Sequence, residues 1–209
     1  LLNALIFDQL AVSSRSSCFI AILIKSRAKA RLDFGAIAKG YIGDRLAEYL
    51  MEQGAESAII SLGGNIVLVG EKPGGAAWRV GIENPASVNG AALESRESVG
   101  LVTLQGAAGE IFSVVTSGTY ERCFEEDGRL YHHILDTKTG YPVDTDLVSV
   151  TITGPSSCYC DALSTSCLIL GSSAAQSFMQ ENGFLDSYAY VFLTSDGDII
   201  ASDNSGFSK

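Results

Sequence analysis

Residues 57–82 read SAIISLGGNIVLVGEKPGGAAWRVGI, and this stretch decides the fold class. It contains three short, mostly apolar runs, at residues 57–62, 65–69 and 78–82. The runs are separated by Gly63-Gly64 and by the KPGG segment at residues 72–75, and glycine and proline mark turns between strands. The pattern therefore predicts three strands joined by short turns.

The same reasoning, carried outward, predicts more strands and a few helices. Apolar residues recur at 3.6-residue spacing over residues 36–53, which predicts a helix that ends before Gly54. The remaining predicted helices cover residues 160–170 and 174–181, and the remaining predicted strands cover residues 99–104, 111–115, 147–152, 188–193 and 199–200. A hairpin is predicted between residues 120–124 and 130–135, and a loop over residues 86–98. Strands in runs with few helices indicate an α+β fold rather than a doubly wound parallel sheet.

The length and composition allow one domain of ordinary size. The chain has 209 residues and 46% hydrophobic residues, enough to bury a sizeable core. We assign this domain to residues 32–209. Residues 1–31, with a strand expected at residues 21–24, are interpreted as an N-terminal remnant of a truncated domain.

Charge and cysteine content exclude several classes of function. The net charge is −10, and basic patches of the kind that bind nucleic acid are not visible. The most apolar candidate for a membrane span, residues 18–24, is far shorter than the roughly 20 residues needed. The five cysteines lack CxxC spacing, so we interpret them as mostly free thiols.

Two glycine-containing segments are candidates for ligand binding. Residues 33–41, DFGAIAKGY, place small residues and a lysine at the start of the predicted helix, where free N–H groups attract phosphate. Alternatively, Asp33 only caps that helix. The Gly63-Gly64-Asn65 segment is either a turn or a backbone wall against a flat ligand.

Acidic, hydroxyl and imidazole groups follow in the second half of the chain. In a helix, Asp161 and Thr165 would be i and i+4 neighbours, and their oxygens would form part of a Mg²⁺ shell. Alternatively, Asp161 is a helix N-cap beside a buried Thr165. On a strand, His132 and His133 would point to opposite faces, so that one faces the site and the other is solvated.

Several motifs in a fixed order give a stronger signal than any of them alone. They are DFGAIAKGY (33–41), GGN (63–65), TSG (116–118), HHILD (132–136) with TGYP (139–142), and DALST (161–165). In this order they resemble the ApbE-like FAD:protein FMN transferases over roughly residues 32–201. The resemblance implies an α+β fold, related to the T-fold, with mixed but mainly antiparallel sheets and a few packed helices.

The resemblance also implies ligands and roles for individual residues. The implied Mg²⁺ ligands are the carbonyl of Ala38, the carboxylate of Asp161 and the hydroxyl of Thr165. The residues implied to lie along FAD are Asp33, Gly35, Lys39, Tyr41, Ser117, Gly118 and His133. The residues implied to be catalytic are Asp161, His133 and Lys39, with an aligned carboxylate or His133 accepting the acceptor's proton.

The implied reaction moves FMN from FAD to a Thr or Ser hydroxyl of an acceptor protein and releases AMP. Acceptors of this family are typically subunits of membrane redox complexes, and family members are often exported or attached to the cell envelope, although a cytoplasmic site is also open. The implied membrane association is through an anchor outside this chain. Two alternatives stay open at this point: an FAD pyrophosphatase that gives FMN and AMP, and an FAD-binding module without turnover.

Overall fold

The computed structural model describes residues 33–88 and 96–209. The chain divides into the units Leu1–Phe34 and Gly35–Lys209, and the described helices and strands all belong to the second unit. The expected strand at residues 21–24 lies outside the described residues, as does most of the predicted loop over residues 86–98.

Antiparallel strands dominate the second unit. The helices are α1 (Ala38–Glu52), α2 (Ser157–Leu170) and α3 (Ser172–Glu181), with 3-10 turns at Pro85–Ser87 and Phe184–Asp186. The strands are β1 (Ser57–Ser61), β2 (Asn65–Gly70), β3 (Trp78–Glu83), β4 (Ser98–Leu104), β5 (Ile111–Gly118), β6 (Phe124–Glu126), β7 (Arg129–Tyr131), β8 (Leu147–Gly154), β9 (Ala189–Thr194), β10 (Ile199–Ala201) and β11 (Phe207–Ser208). This architecture confirms the α+β prediction.

A six-stranded antiparallel sheet, in the order β1-β2-β5-β8-β9-β10, forms the middle layer. Its side chains alternate between two faces, so neighbouring buried residues enter different cores. Val115 packs with the helix residues Leu163 and Leu168, whereas its neighbour Val114 packs with Trp78 of a three-stranded sheet, ordered β11-β4-β3. Burial on both faces explains why β2 and β9 are apolar almost throughout.

Most predicted elements are confirmed within one to three residues, and the differences have local causes. The hairpin is shorter than predicted, since β6 and β7 cover only Phe124–Glu126 and Arg129–Tyr131. The second helix begins at Ser157 rather than 160, because Ser156 caps it by accepting a hydrogen bond from the Tyr159 N–H. The two-residue strand β11 was not predicted, because so short a segment carries no periodicity.

The described helices also bear on membrane insertion. Within residues 33–88 and 96–209, none of them combines the length and the apolar character needed to cross a bilayer.

Candidate functional site

The site is built where α1 crosses the beginning of α2 at very short distance. A Cβ added to Gly40 would lie 2.2 Å from the Ser157 carbonyl oxygen and 2.7 Å from the Cys158 Cα. One turn later, a Cβ on Gly43 would lie 2.9 Å from a Val67 methyl group. Helix α2 therefore occupies the space that a side chain at position 40 would need. Gly40 allows the two helices to pack closely and does not make room for a ligand.

Asp44 holds the two helices together at this crossing. Its carboxylate accepts hydrogen bonds from the Ser157 N–H at 2.6 Å, the Cys158 N–H at 3.0 Å and the Ser156 hydroxyl at 2.8 Å. These amides belong to the first turn of α2, where N–H groups have no partner within the helix and a negative charge is favourable. Sequence reasoning missed Asp44, since its partners are more than 100 positions away.

The predicted Asp161 carboxylate lies directly behind this crossing. Asp161 is 1% exposed, and its Oδ2 accepts a hydrogen bond from the Gly40 N–H at 2.9 Å. Its Oδ1 lies 3.7 Å from the ammonium nitrogen of Lys39, whose side chain is 43% exposed. Gly40 and Asp161 are 121 positions apart in the sequence. Residues 38–40 are nevertheless neighbours of Asp161 in space.

Both capping alternatives are wrong. Asp161 is not the N-cap of α2, because Ser156 occupies that position and Asp161 lies in the second turn. Asp33 is not the N-cap of α1, because the helix begins at Ala38 and Ile37 precedes it without a side-chain cap.

Thr165 is joined to the TSG motif by hydroxyl contacts. The Ser117 oxygen lies 3.2 Å from the Thr165 hydroxyl and 2.7 Å from that of Ser164. The Ser164 hydroxyl donates to the Asp161 carbonyl at 2.9 Å. Strand β5 therefore delivers Ser117 to the helix face that carries Asp161 and Thr165.

The two histidines have opposite environments, although they follow β7 instead of lying on it. His133 is exposed, and its Nδ1 lies 3.0 Å from the Glu121 carbonyl oxygen. His132 is buried, and burial lowers its pKa; a hydrogen bond to the Val143 backbone carbonyl opposes this, and the charge of His133 adds a smaller lowering. His133 is therefore the histidine that a ligand can reach.

The GGN turn lies close to the end of β5 and to Glu121. A Cβ on Gly64 would lie 3.2 Å from the Thr116 carbonyl oxygen and 3.9 Å from a Glu121 carboxylate oxygen. Gly63 and Gly64 have φ values of +52° and +81°, which glycine adopts without strain. The GGN, TSG and histidine motifs therefore share one region at the ends of β2 and β5.

Fewer contacts tie the remaining predicted FAD-binding residues to the site. Tyr41 is 59% exposed on α1, and Gly118 is buried where a Cβ would lie 2.2 Å from the Tyr120 ring. Gly35 is exposed in the second unit, whereas Asp33 belongs to the first. Among the described residues, no hydrogen bond links His133 to Asp161 or Thr165, so the site has two parts: the helix crossing with Asp161 and Thr165, and the GGN turn with His133.

The nearby thiols stay protonated at neutral pH. Burial raises the pKa of Cys158 and raises that of Cys160 well above its usual range, and the Asp44 and Asp161 carboxylates act in the same direction. The four described cysteines are free, as predicted. The other acceptor groups at the helix crossing are oxygens, which suit a hard cation such as Mg²⁺.

Comparison with known proteins points to one family. The sequence profile of the ApbE family matches residues 1–189. The FAD:protein FMN transferase of Klebsiella pneumoniae (strain 342) is 40% identical over 171 residues, 82% of this chain and 48% of that protein. The one of Treponema pallidum (strain Nichols) is 37% identical over 85% of this chain and 47% of its own length. The chain thus spans about half the length of these curated relatives.

Solved structures agree with the sequence matches. The flavin transferase ApbE from Vibrio cholerae superimposes with a TM-score of 0.70 at 29% identity, covering 97% of this chain and 60% of that one. The ApbE protein from Thermotoga maritima gives a TM-score of 0.69 at 29% identity, covering 83% of this chain and 52% of that one.

Proposed function

The chain belongs to the ApbE family, and we propose that it takes part in the Mg²⁺-dependent transfer of FMN from FAD to a Thr or Ser hydroxyl of an acceptor protein. The observation that carries this proposal is the hydrogen bond from the Gly40 N–H to the Asp161 carboxylate. It brings the two most distant motifs of the family pattern to one place. The names of the relatives support the flavin chemistry.

The groups at the helix crossing suit Mg²⁺. The proposed ligands are the Ala38 carbonyl, the Asp161 carboxylate and the Thr165 hydroxyl, all hard oxygen donors of the kind that Mg²⁺ prefers. A carboxylate as buried as Asp161 needs more compensation than one N–H and a half-exposed lysine at 3.7 Å provide. Bound Mg²⁺ would stabilise the negative charge that develops on the pyrophosphate oxygens.

The start of α1 is proposed to hold the FAD pyrophosphate. Ile37 provides no side-chain cap, and the helix dipole favours an anion at this end of α1, where the Gly40 N–H already donates to Asp161. Lys39 adds a positive charge at the same turn, 3.7 Å from Asp161. These groups would attract the phosphates locally, although the net charge of the chain is −10.

His133 is the proposed general base. The Glu121 carbonyl can only accept a hydrogen bond, so Nδ1 of His133 carries the proton. In the neutral ring, Nε2 is then an unprotonated acceptor on an exposed side chain. Nε2 accepts the proton of the acceptor hydroxyl, whose oxygen forms a bond to the FMN phosphorus. The pyrophosphate P–O bond breaks, and AMP leaves with its electron pair.

The remaining family positions are proposed to line FAD. The proposed contacts to FAD are the exposed Tyr41 ring, the backbone at Gly35, the Gly63-Gly64 turn, and Ser117 with Gly118. Asp33 is proposed to lie along the cofactor as well, on the strength of the motif alone. The acceptor is proposed to present its Thr or Ser toward His133.

The experiment follows both products in one assay. The chain is incubated with FAD, Mg²⁺ and an acceptor peptide containing Thr followed by small residues; covalent flavin is read by fluorescence on a denaturing gel, and AMP by chromatography. We expect both products to disappear in Asp161→Asn, which keeps an oxygen for the Gly40 N–H but removes the charge. The matched control is Asp146→Asn, since Asp146 accepts hydrogen bonds from Ser172 at the start of α3.

The outcomes separate transfer from its alternatives. AMP and free FMN at equal rates with and without peptide would indicate a pyrophosphatase. Binding of FAD without AMP would indicate a module without turnover. Equal transfer by Asp161→Asn and the unsubstituted chain would remove the proposed metal site.

A further inference from the structure

Three hydroxyl groups form a chain beside Asp161. Ser117, near the end of β5, lies 2.7 Å from the Ser164 hydroxyl and 3.2 Å from the Thr165 hydroxyl, measured between oxygens. Ser164 in turn lies 2.9 Å from the carbonyl oxygen of Asp161. Ser164 is fully buried, whereas Ser117 and Thr165 are half-buried. The chain of contacts therefore runs from the open site into the core.

The direction of each hydrogen bond follows from the number of protons. A serine or threonine hydroxyl has one proton to donate and two lone pairs that accept. The Asp161 carbonyl can only accept, so the Ser164 proton goes to it. Ser164 must then accept from Ser117, which uses the Ser117 proton. The remaining contact can form only if Thr165 donates to Ser117.

This direction fixes how Thr165 faces the site. We propose that Ser117 and Ser164 are positioning residues that turn the Thr165 proton toward β5 and leave a Thr165 lone pair directed at a divalent cation. The inference rests on the proposed function, in which Thr165 is a metal ligand. Groups behind a metal ligand commonly set its orientation, and their loss weakens metal binding.

The alternative orientation is blocked by Ser164. A threonine within a helix often donates its proton to the carbonyl four residues earlier, which for Thr165 is that of Asp161. Here that carbonyl accepts the Ser164 proton and, as in any α-helix, faces the N–H of the residue four positions later, so both of its lone pairs are used. Because Ser164 is fully buried, water cannot replace its hydroxyl, and the orientation persists before any ion arrives.

The test measures binding of Mn²⁺, a spectroscopic substitute for Mg²⁺, to the whole 209-residue chain by electron paramagnetic resonance. Ser117→Ala should weaken Mn²⁺ binding about fivefold, the effect of one lost hydrogen bond. Ser117→Thr keeps the hydroxyl and should stay within about twofold of the unsubstituted chain. Far-UV circular dichroism confirms that each variant is folded.

A matched control lies on the opposite face of the same sheet. Thr116 and Thr151 form a hydroxyl pair at 2.8 Å, and Thr116 faces away from Ser117 because neighbouring strand residues alternate. Thr151→Val removes one hydroxyl of this pair, as Ser117→Ala does in the other. It should leave Mn²⁺ affinity unchanged, even if thermal stability falls.

A double-mutant cycle separates positioning from a general structural effect. If Ser117 acts through Thr165, Ser117→Ala should have no further effect on Mn²⁺ affinity in a Thr165→Ala background. Additive losses, or a single Ser117→Ala variant with unchanged affinity, would overturn the inference while leaving the proposed function intact. Unchanged Mn²⁺ affinity in Thr165→Ala itself would overturn both.

Discussion

Replacing Gly40 by alanine tests whether the close crossing of α1 and α2 builds the site. The added Cβ would lie 2.2 Å from the Ser157 carbonyl oxygen and 2.6 Å from its carbon, and these are backbone atoms that cannot rotate away. The helices must separate, and the hydrogen bond from the Gly40 N–H to the buried Asp161 carboxylate must lengthen.

The magnitude follows from three terms. Overpacking costs about 3 kcal/mol when backbone must move. A weakened hydrogen bond to a charged group costs about 1.5 kcal/mol, whereas alanine gains about 1 kcal/mol in helix propensity. We therefore expect Gly40→Ala to lower the free energy of unfolding by about 3.5 kcal/mol and to weaken Mg²⁺ binding.

A control lies in the same helix. Gly43→Ala meets a Val67 methyl group at 2.9 Å and the Ser157 hydroxyl at 3.3 Å, both on side chains, so we expect a loss within about 1 kcal/mol. Urea unfolding followed by circular dichroism gives both values, and calorimetric titration with Mg²⁺ gives the affinities. Equal stability of Gly40→Ala and the unsubstituted protein would refute the reasoning.

Three further predictions concern the cap and the histidines. Asp44→Ala removes the acceptor of three hydrogen bonds at the start of α2 and should cost about 3 kcal/mol in urea unfolding; a loss under about 1 kcal/mol would contradict the role of Asp44. Folding lowers the pKa of His132 from 6.5. Below pH 6.5 the unfolded chain therefore binds a proton that the folded chain does not bind. The free energy of unfolding should fall as the pH drops from about 7 toward the lower, folded pKa. His132→Asn should reduce that fall in urea midpoints between pH 7.5 and pH 5.5, and an unchanged fall would assign it to other groups. His133→Gln should abolish FMN transfer yet change the free energy of unfolding by no more than about 0.5 kcal/mol, because the ring is exposed, and transfer at the original rate would exclude it as the base.

Local patterns were sufficient for most of the strands and for the position of the metal-ligand candidates. Glycine-punctuated apolar runs located β1, β2 and β3, since each turn there has its own residue signal. The i, i+4 spacing placed Asp161 and Thr165 on one helix, and the structure puts both in α2. Their proposed roles as ligands stay predictions.

Contacts between segments that lie far apart in the sequence could not be predicted from local patterns. Asp44 sits on a helix with no local partner to mark it as the cap of another helix, and its hydrogen bonds exist only after the chain has folded. The DFGAIAKGY segment predicts ligand binding by its small residues, whereas Gly40 packs against α2, because a glycine in a sequence does not reveal which group will lie where a side chain is missing. The predicted hairpin strand over residues 130–135 includes both histidines, whereas β7 ends at Tyr131. Alternation of side chains does not reveal where a strand ends.

The central claim is that one divalent cation binds between the start of α1 and the second turn of α2. The most direct measurement is anomalous diffraction at the manganese edge from crystals of this chain grown with Mn²⁺ and FAD. The account predicts a single strong peak about 2.1–2.3 Å from the Asp161 carboxylate, the Thr165 hydroxyl and the Ala38 carbonyl. A peak bound elsewhere, with these three oxygens left in contact only with protein or water, would contradict it.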